Sequence, residues 1–384
     1  MEISEVWITT TEISPPNLIF HNNLRNTSNS SIGELAINES IALSPYSISA
    51  AVMMLMLGAK GHTKSQLSSV IFRNTDPGDA NFFYTALTGI LPRSRKSLLI
   101  ELANQVFLNK EYNINNNVKE KAKEYFRAAV HANDFCCNTR RSVNVINNWI
   151  AKKSRKTFRR MVSNKTINER TLAVFVNIVE FKGEWKTAFD PTKTIQQYFY
   201  PKNRRQQMME MMQSVQRAKY GLLKASEILV LPFKVERFQM MIILPEDSES
   251  VSDFERMLTF DVIKYLNSSL VEQVIDVILP KLLMDNKLNL MEYFPRLGVT
   301  DIFNKTSADF SNLIREKTNR IYVSDATHEV IAKVSEGGGS SEKGVKLNLN
   351  NPQHTFKANR PFLFYVIDGQ NGVVMFMGRF LGDQ

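Results

Sequence analysis

Residues 171–189 read TLAVFVNIVEFKGEWKTAF. Up to Gly183 the run is β-branched and aromatic, the composition of a pleated strand and not of a helix. It also marks where the chain changes character. Upstream, residues 44–67, SPYSISAAVMMLMLGAKGHTKSQL, predict a helix: Ser44 is a cap, Pro45 suits the first turn, and the interior is small and apolar nearly all round. A helix without a polar face is buried, which places Met53, Met54 and Met56 in the core. Residues 116–126, NNVKEKAKEYF, are helical again, and residues 142–162, SVNVINNWIAKKSRKTFRRMV, form a further helix anchored by Val145, Ile146 and Trp149. Residues 98–108, LLIELANQVFL, mix both periods and place a strand at their end, before the turn-like NKEYNINNN.

Downstream of Gly183 strands dominate: EILVLPF, FQMMIILP, QVIDVILPK, HEVIAKV, PFLFYVID and GVVMFMGRF. The last two flank GQNG and predict a hairpin. Helices first and strands second indicate an α+β architecture with antiparallel or mixed sheets, not a doubly wound α/β fold. No internal repeat or composition break divides the chain, so residues 1–384 are expected to form one domain.

With 43% hydrophobic and 22% charged residues the chain can bury a large core. A formal charge of +10 favours acidic partners such as nucleic acid, sulfated polysaccharide or anionic membrane. No run of about eighteen apolar residues is present, so no membrane span is expected. The start, MEISEVWITTTEISPP, has Glu2 and Glu5 where a classical signal peptide carries basic and apolar residues. That leaves unconventional export, a removed leader or an intracellular location. Cys136 and Cys137 are the two cysteines; the peptide between neighbours resists disulfide geometry, and a metal would need more ligands nearby.

Catalytic motifs are thin. SSEK, Ser340 to Lys343, has Ser-x-x-Lys spacing, but in a glycine- and serine-rich stretch instead of on the rigid helix that chemistry requires. GAKGHTKS lacks the spacing of a phosphate-binding loop. His21, His62, His131, His328 and His354 are scattered, none paired at metal-ligand spacing, so no cofactor, metal or enzymatic activity is expected. His328 opens an apolar strand, where a buried imidazole must be hydrogen-bonded, and reads as structural. Lys152, Lys153, Arg155, Lys156, Arg159 and Arg160 crowd one helix end; they are a solvated face or a site for heparin-like chains. Aromatic residues are not interleaved with them, so nucleic acid is not an expected partner.

Residues 333–366 begin as a strand, dissolve into glycine and serine, and re-enter an aromatic run. From Gly339, alternate positions are Gly339, Ser341, Lys343, Val345, Leu347 and Leu349, while the other set is Ser340, Glu342, Gly344, Lys346, Asn348 and Asn350. One face is small or apolar except for Lys343, and the other is polar or glycine, a half-buried strand pattern behind a glycine-rich entrance. The segment can be loop or strand.

These stretches together resemble the serpin family of protease inhibitors over nearly the whole chain. The matching runs are LSPYSISAAVMMLMLGAKGHTKSQL, VNIVEFKGEWKTAFDPTKT, LPFKVERFQMMIILPED, VILPKLLMDNKLNLMEYFPRLGVTDIFNKTSADFSNL, ATHEVIAKVSEGG and FKANRPFLFYVIDGQNGVVMFMGRF, in that order. The resemblance implies three sheets with eight or nine helices, an N-terminal extension at 1–16, and a hinge and reactive loop at 336–358. It further implies a monomer that traps a serine protease when the cleaved loop inserts as a new strand, driven by a metastable fold. The thirteen positions from Gly338 to Asn350 span about 43 Å as a strand.

By the same resemblance Ser44, Ser47, Asn177 and His328 form the shutter where the sheet opens, Trp185 marks the breach where insertion begins, and Asn359, Arg360 and Pro361 anchor the chain after the loop. The hinge covers Glu336, Gly337, Gly338, Gly339, Ser340, Ser341, Glu342 and Lys343. Inhibitory members carry several alanines there. In this chain glycine raises the entropy lost on ordering, and Lys343 faces the core once inserted, where an unpaired ammonium costs several kcal/mol. The reactive-site candidates are Leu349, Asn350 and Asn351, with Lys346 an outside choice; Leu349 suits a chymotrypsin- or elastase-like target and Lys346 a trypsin-like one. The alternative is a non-inhibitory binding or storage protein whose loop is cut as a substrate. The expected setting is extracellular, with an intracellular one as the alternative.

Overall fold

The computed structural model describes residues 39–72, 98–126, 128–154, 162–164, 166–201, 205–224, 226–246, 251–316, 321–337, 352–370 and 372–382. The N-terminal extension, hinge residues Gly338 to Lys343, reactive-site candidates Leu349, Asn350 and Asn351, and Arg155, Lys156, Arg159 and Arg160 lie outside them.

In chain order the elements are β1 (Ile41–Leu43), α1 (Pro45–Gly58), α2 (Gly61–Phe72), β2 (Leu98–Asn109), α3 (Asn116–Phe126), β3 (Ala129–Asn133), α4 (Thr139–Lys153), β4 (Ala173–Gly183), β5 (Ile195–Phe199), β6 (Gln207–Leu223), β7 (Ser226–Pro232) and β8 (Phe238–Leu244). There follow α5 (Val251–Met257), α6 (Phe260–Ser269), β9 (Val271–Pro280), β10 (Leu282–Asn289), the single turn α7 (Leu290–Tyr293), β11 (Val323–Val334), β12 (His354–Lys357), β13 (Phe362–Asp368) and β14 (Val373–Phe380). The α+β class therefore holds, with two hydrogen-bonded sheets among the described residues.

The first sheet has the order β10-β11-β4-β2-β3, and the second runs β1-β14-β13-β8-β7-β6-β9-β12 with β5 also on β6. Three sheets were expected; here the second and third are continuous through β6. This long strand pairs β5 and β9 along Gln207–Ala218 and β7 along Lys219–Leu223. The hairpin expected around GQNG is the antiparallel pair β13–β14.

Every residue of α1 except Leu57 is buried, as an all-round apolar helix requires. Ser44 caps it, its side chain accepting the Ser47 N–H, with Pro45 in the first turn. The helix predicted over 44–67 is nevertheless two. Ala59 is extended and Gly61 has φ +51, a left-handed conformation that stops one helix and starts the next. Residues 98–108 are strand throughout, because β2 lies antiparallel on β4 along its whole length and tertiary pairing overrides a mixed local period.

Helix α4 lies on the outer face of the first sheet. Val143, Ile146 and Ile150 pack with Phe107 of β2, Val174, Val176 and Ile178 of β4 and Ile331 of β11, and Trp149 sets its edge against Phe107 at 5.8 Å. Burying Ile146 and Ile150 fully contributes about 1.5–3 kcal/mol each. The expectation that Val145 anchors this helix is corrected: it is 43% exposed. The spacing 143, 146, 150 follows one helical stripe, and 145 turns away from it.

Candidate functional site: the boundary between β4 and β11

Strands β4 and β11 run parallel, paired from Val323↔Ala173 to Ala332↔Phe181, and each is flanked on its far side by an antiparallel neighbour, β2 and β10. On the face toward α1, His328 of β11 stands opposite Asn177 of β4. His328 is not at the opening of its strand, as its sequence neighbours implied, but in the middle, since β11 begins at Val323.

The polar residues at this boundary form one network, in which Asn104 Nδ2 is the atom left without a partner. His328 Nδ1 donates to Asn177 Oδ1, and His328 Nε2 accepts the Ser44 N–H at 3.4 Å. Asn177 Oδ1 also accepts from Ser47 Oγ at 2.9 Å, while Asn177 Nδ2 donates to the Ser47 carbonyl at 3.2 Å and to Asn104 Oδ1. Ser44 Oγ donates to the Met375 carbonyl at 2.6 Å. This pattern uses the neutral imidazole, and complete burial pushes the His328 pKa down to about 3. The structure thus brings together Ser44, Ser47, Asn177 and His328, and adds Asn104 of β2 and the β14 backbone. Helix α1 is tied by side chains to both strands of the parallel pair.

At the end of β4, Trp185 is buried, stacked on Phe233 with ring centroids 4.7 Å apart and with Phe189 at 6.1 Å. Its indole N–H donates to the Ser335 carbonyl at 2.9 Å, one residue past the end of β11. The neighbouring Glu336 is held at both ends. Its carbonyl accepts the Phe189 N–H at 2.9 Å, and its Oε1 accepts from Thr194 Oγ1 at 2.9 Å and meets Lys281 Nζ at 2.8 Å. Burial opposes ionisation of Glu336, but the hydrogen bonds from Lys281 and Thr194 outweigh it and hold the carboxyl below its usual range.

Past the loop, β12 joins the second sheet parallel to β9. The Asn359 carbonyl accepts the Tyr200 N–H at 2.8 Å, and Arg360 donates from Nε to the Pro245 carbonyl at 2.8 Å and pairs with Glu227 at 3.4 Å. One segment of chain, 338–351, therefore connects the end of β11 in one sheet to β12 in the other. Lys152 and Lys153 are exposed in the last turn of α4, about one turn beyond the stripe that packs on the sheet.

Lys281, Thr194 and Phe233 were not legible as site residues. Asn104 left a trace: a polar side chain inside a strand-forming run needs a buried partner. Among the described residues no helix is long and apolar enough to cross a membrane.

A mixed five-stranded sheet in which β11 and β4 pair in parallel, with the chain crossing from β11 to β12 of a second large sheet, fits the fold of the family that the sequence resembles. The family model described as Serpin (serine protease inhibitor) matches residues 26–382, and the chain belongs to that family. It is 30% identical to human antithrombin-III over 353 residues, covering 89% of this chain and 76% of that protein. Human serpin B8 is 28% identical over 357 residues, covering 91% of this chain and 94% of the relative. Among solved structures, native protease nexin-1 with heparin superposes with a TM-score of 0.86 at 26% identity, covering 96% of this chain and 99% of that one.

Proposed function

We propose that this chain inhibits a serine protease by offering residues 338–351 as bait and, once cut, drawing the N-terminal part of that segment between β4 and β11. The observation that carries this reading is the parallel pairing of those two strands. Parallel ladders are slightly weaker per residue than antiparallel ones. A chain that leaves β11 at Val334 and doubles back runs antiparallel to both β11 and β4, so insertion exchanges one parallel ladder for two antiparallel ladders. The length fits: thirteen residues span about 43 Å, and the twelve residues of β11 about 40 Å. Ser335 and Glu336 are already fixed by Trp185, Thr194 and Lys281 at the point where such a strand would start.

The protease serine attacks the scissile carbonyl after Leu349, Asn350 or Asn351, forming an ester as the amine of the following residue leaves. Insertion before water reaches that ester leaves the enzyme trapped. Leu349 favours a chymotrypsin- or elastase-like target. Lys152 and Lys153, with the basic residues that follow them, form the proposed contact for heparin-like chains. A second reading, a non-inhibitory serpin cut as a plain substrate, is favoured by one observation, the lysine at 343 on the face that insertion buries.

The test is a denaturing gel after incubation with chymotrypsin-, elastase- and trypsin-like proteases, with mass spectrometry of the released C-terminal fragment. A detergent-stable band at the summed mass of both chains supports trapping and locates the cut. Clean cleavage with no such band, from every protease, favours the substrate reading.

A further inference from the structure

Cys136 and Cys137 sit on the turn from β3 into α4, away from the β4–β11 boundary. Two cysteines alone are too few ligands for a metal, and the turn supplies a third. Asp134 lies beside them, and one ligand atom from each of the three residues falls within 4.8 Å of the others, the one such group among the described residues. Both thiols are free, Cys136 half-exposed and Cys137 exposed, with their sulfurs 2.6 Å apart.

The turn that carries them is fixed. Phe135, between Asp134 and Cys136, is fully buried in the cluster under α4. Thr139 Oγ1 donates to the Phe135 carbonyl at 2.8 Å and Ser142 Oγ to the Asp134 carbonyl at 2.6 Å. Asp134 Oδ1 accepts the Cys137 N–H at 3.2 Å, which orients the carboxylate toward the thiols, and Oδ2 meets Lys110 Nζ at 2.7 Å. A site on a hydrogen-bonded turn anchored by a buried phenylalanine is held in place before any ligand arrives.

We propose that Cys136, Cys137 and Asp134 chelate one thiophilic divalent cation of the zinc and cadmium class, through two thiolates and one carboxylate oxygen, with water in the fourth position. Thiolates select such soft or borderline cations over magnesium and calcium. A tetrahedral zinc with Zn–S bonds of about 2.3 Å needs its sulfurs roughly 3.8 Å apart, so the exposed Cys137 side chain would rotate outward on binding. The two thiol protons pass to solvent as the thiolates bind. Two thiolates, one carboxylate and a divalent cation leave a single negative charge, which Lys110 is placed to offset. Adjacent cysteines resist closing a disulfide on each other, so the pair stays available as ligands.

The test is titration of the reduced full-length protein with cadmium chloride, following the sulfur-to-cadmium charge-transfer band in the ultraviolet, with zinc as competitor. The expected result is one cadmium per chain, displaced by zinc, with the band lost in Cys136→Ser and in Cys137→Ser and affinity reduced about tenfold or more in Asp134→Asn. The three positions are partly or fully exposed, so the variants are expected to fold, checked by circular dichroism. The proposal is overturned by absence of the band in the wild type, by its retention in either serine variant, by one cadmium per two chains, or by unchanged affinity in Asp134→Asn.

Discussion

His328 couples α1 to both strands of the parallel pair through one neutral ring, and that neutrality has a pH consequence. Its folded pKa is lowered to about 3 from an ordinary 6.5 by complete burial. Between those values the unfolded chain binds a proton that the folded chain does not, so stability falls as pH drops through 6.5 toward 3. By pH 5 the loss from this one residue is about 2 kcal/mol. Denaturant midpoints measured from pH 7.5 to pH 5 should show that slope in the wild type and a flatter one in His328→Gln; equal slopes would remove His328 as the source. How much of this was legible differs from residue to residue. A histidine in an apolar strand must be bonded, and its matching to Ser44, Ser47 and Asn177 came from the family resemblance. Asn104 completes the network across 73 positions of chain, and no local pattern encodes a partner that distant.

At the scale of the strand, β11 carries a second buried group on the face opposite His328. Glu329 is buried with Oε2 lacking any hydrogen-bond partner, and burial pushes its carboxyl up to about 7, with Asp285 adding to the rise and Lys287 opposing it. Lys287 faces it in register from β10, Ile178 from β4, and Asp325 lies two pleat repeats back on β11, beyond Thr327. A raised carboxyl contributes its stability below the unfolded value of 4.5 and loses it as pH rises through 7. Glu329→Gln is therefore expected to stabilise the fold by about 3 kcal/mol at pH 8, with the gain vanishing below about pH 4, checked by the same denaturant midpoints. The other end of the strand is a matter of clamping. Lys281→Ala removes one of the two side chains that hold the Glu336 carboxylate, and the loosened start of the strand should admit a synthetic peptide copying residues 339–350 about fivefold faster, the effect of about 1 kcal/mol. Native gels read the uptake, and an unchanged rate would mean that Trp185, Thr194 and the backbone bond from Phe189 govern the opening without Lys281.

Across the whole molecule, the strands that read clearly were those with β-branched or aromatic runs, such as β4, β8 and β13. The longest one, β6, did not: QMMEMMQSVQRAKYGLL is rich in residues with good helix propensity, and its burial does not alternate cleanly because it changes neighbours midway. Strand order was equally hidden, since pairing β11 with β4 joins residues about 150 positions apart. That pairing is nevertheless what the proposed activity rests on, and it predicts how the molecule responds to a single cut. In an intact chain residues 338–351 are covalently tethered at one end to β11 and at the other to β12 of the second sheet, so the new ladders cannot form before a cut. Cleavage after Leu349, Asn350 or Asn351 frees one end, and the inserted strand should raise the thermal midpoint well beyond the few degrees that a point substitution gives. On the proposed insertion Lys343 falls in the alternate set that turns to the buried side, so its ammonium would work against this gain at a cost of several kcal/mol when unpaired. Lys343→Ala should thus raise the midpoint of the cleaved form further, leave the intact form unchanged within about 0.5 kcal/mol, and lower the number of inhibitor chains consumed per protease trapped. Scanning calorimetry of intact and cleaved chains, beside a titration of residual protease activity, reads all three quantities. A cleaved wild type and a cleaved Lys343→Ala that both melt with their intact forms would mean that the parallel pair never opens, and the chain would then be a substrate and not a trap.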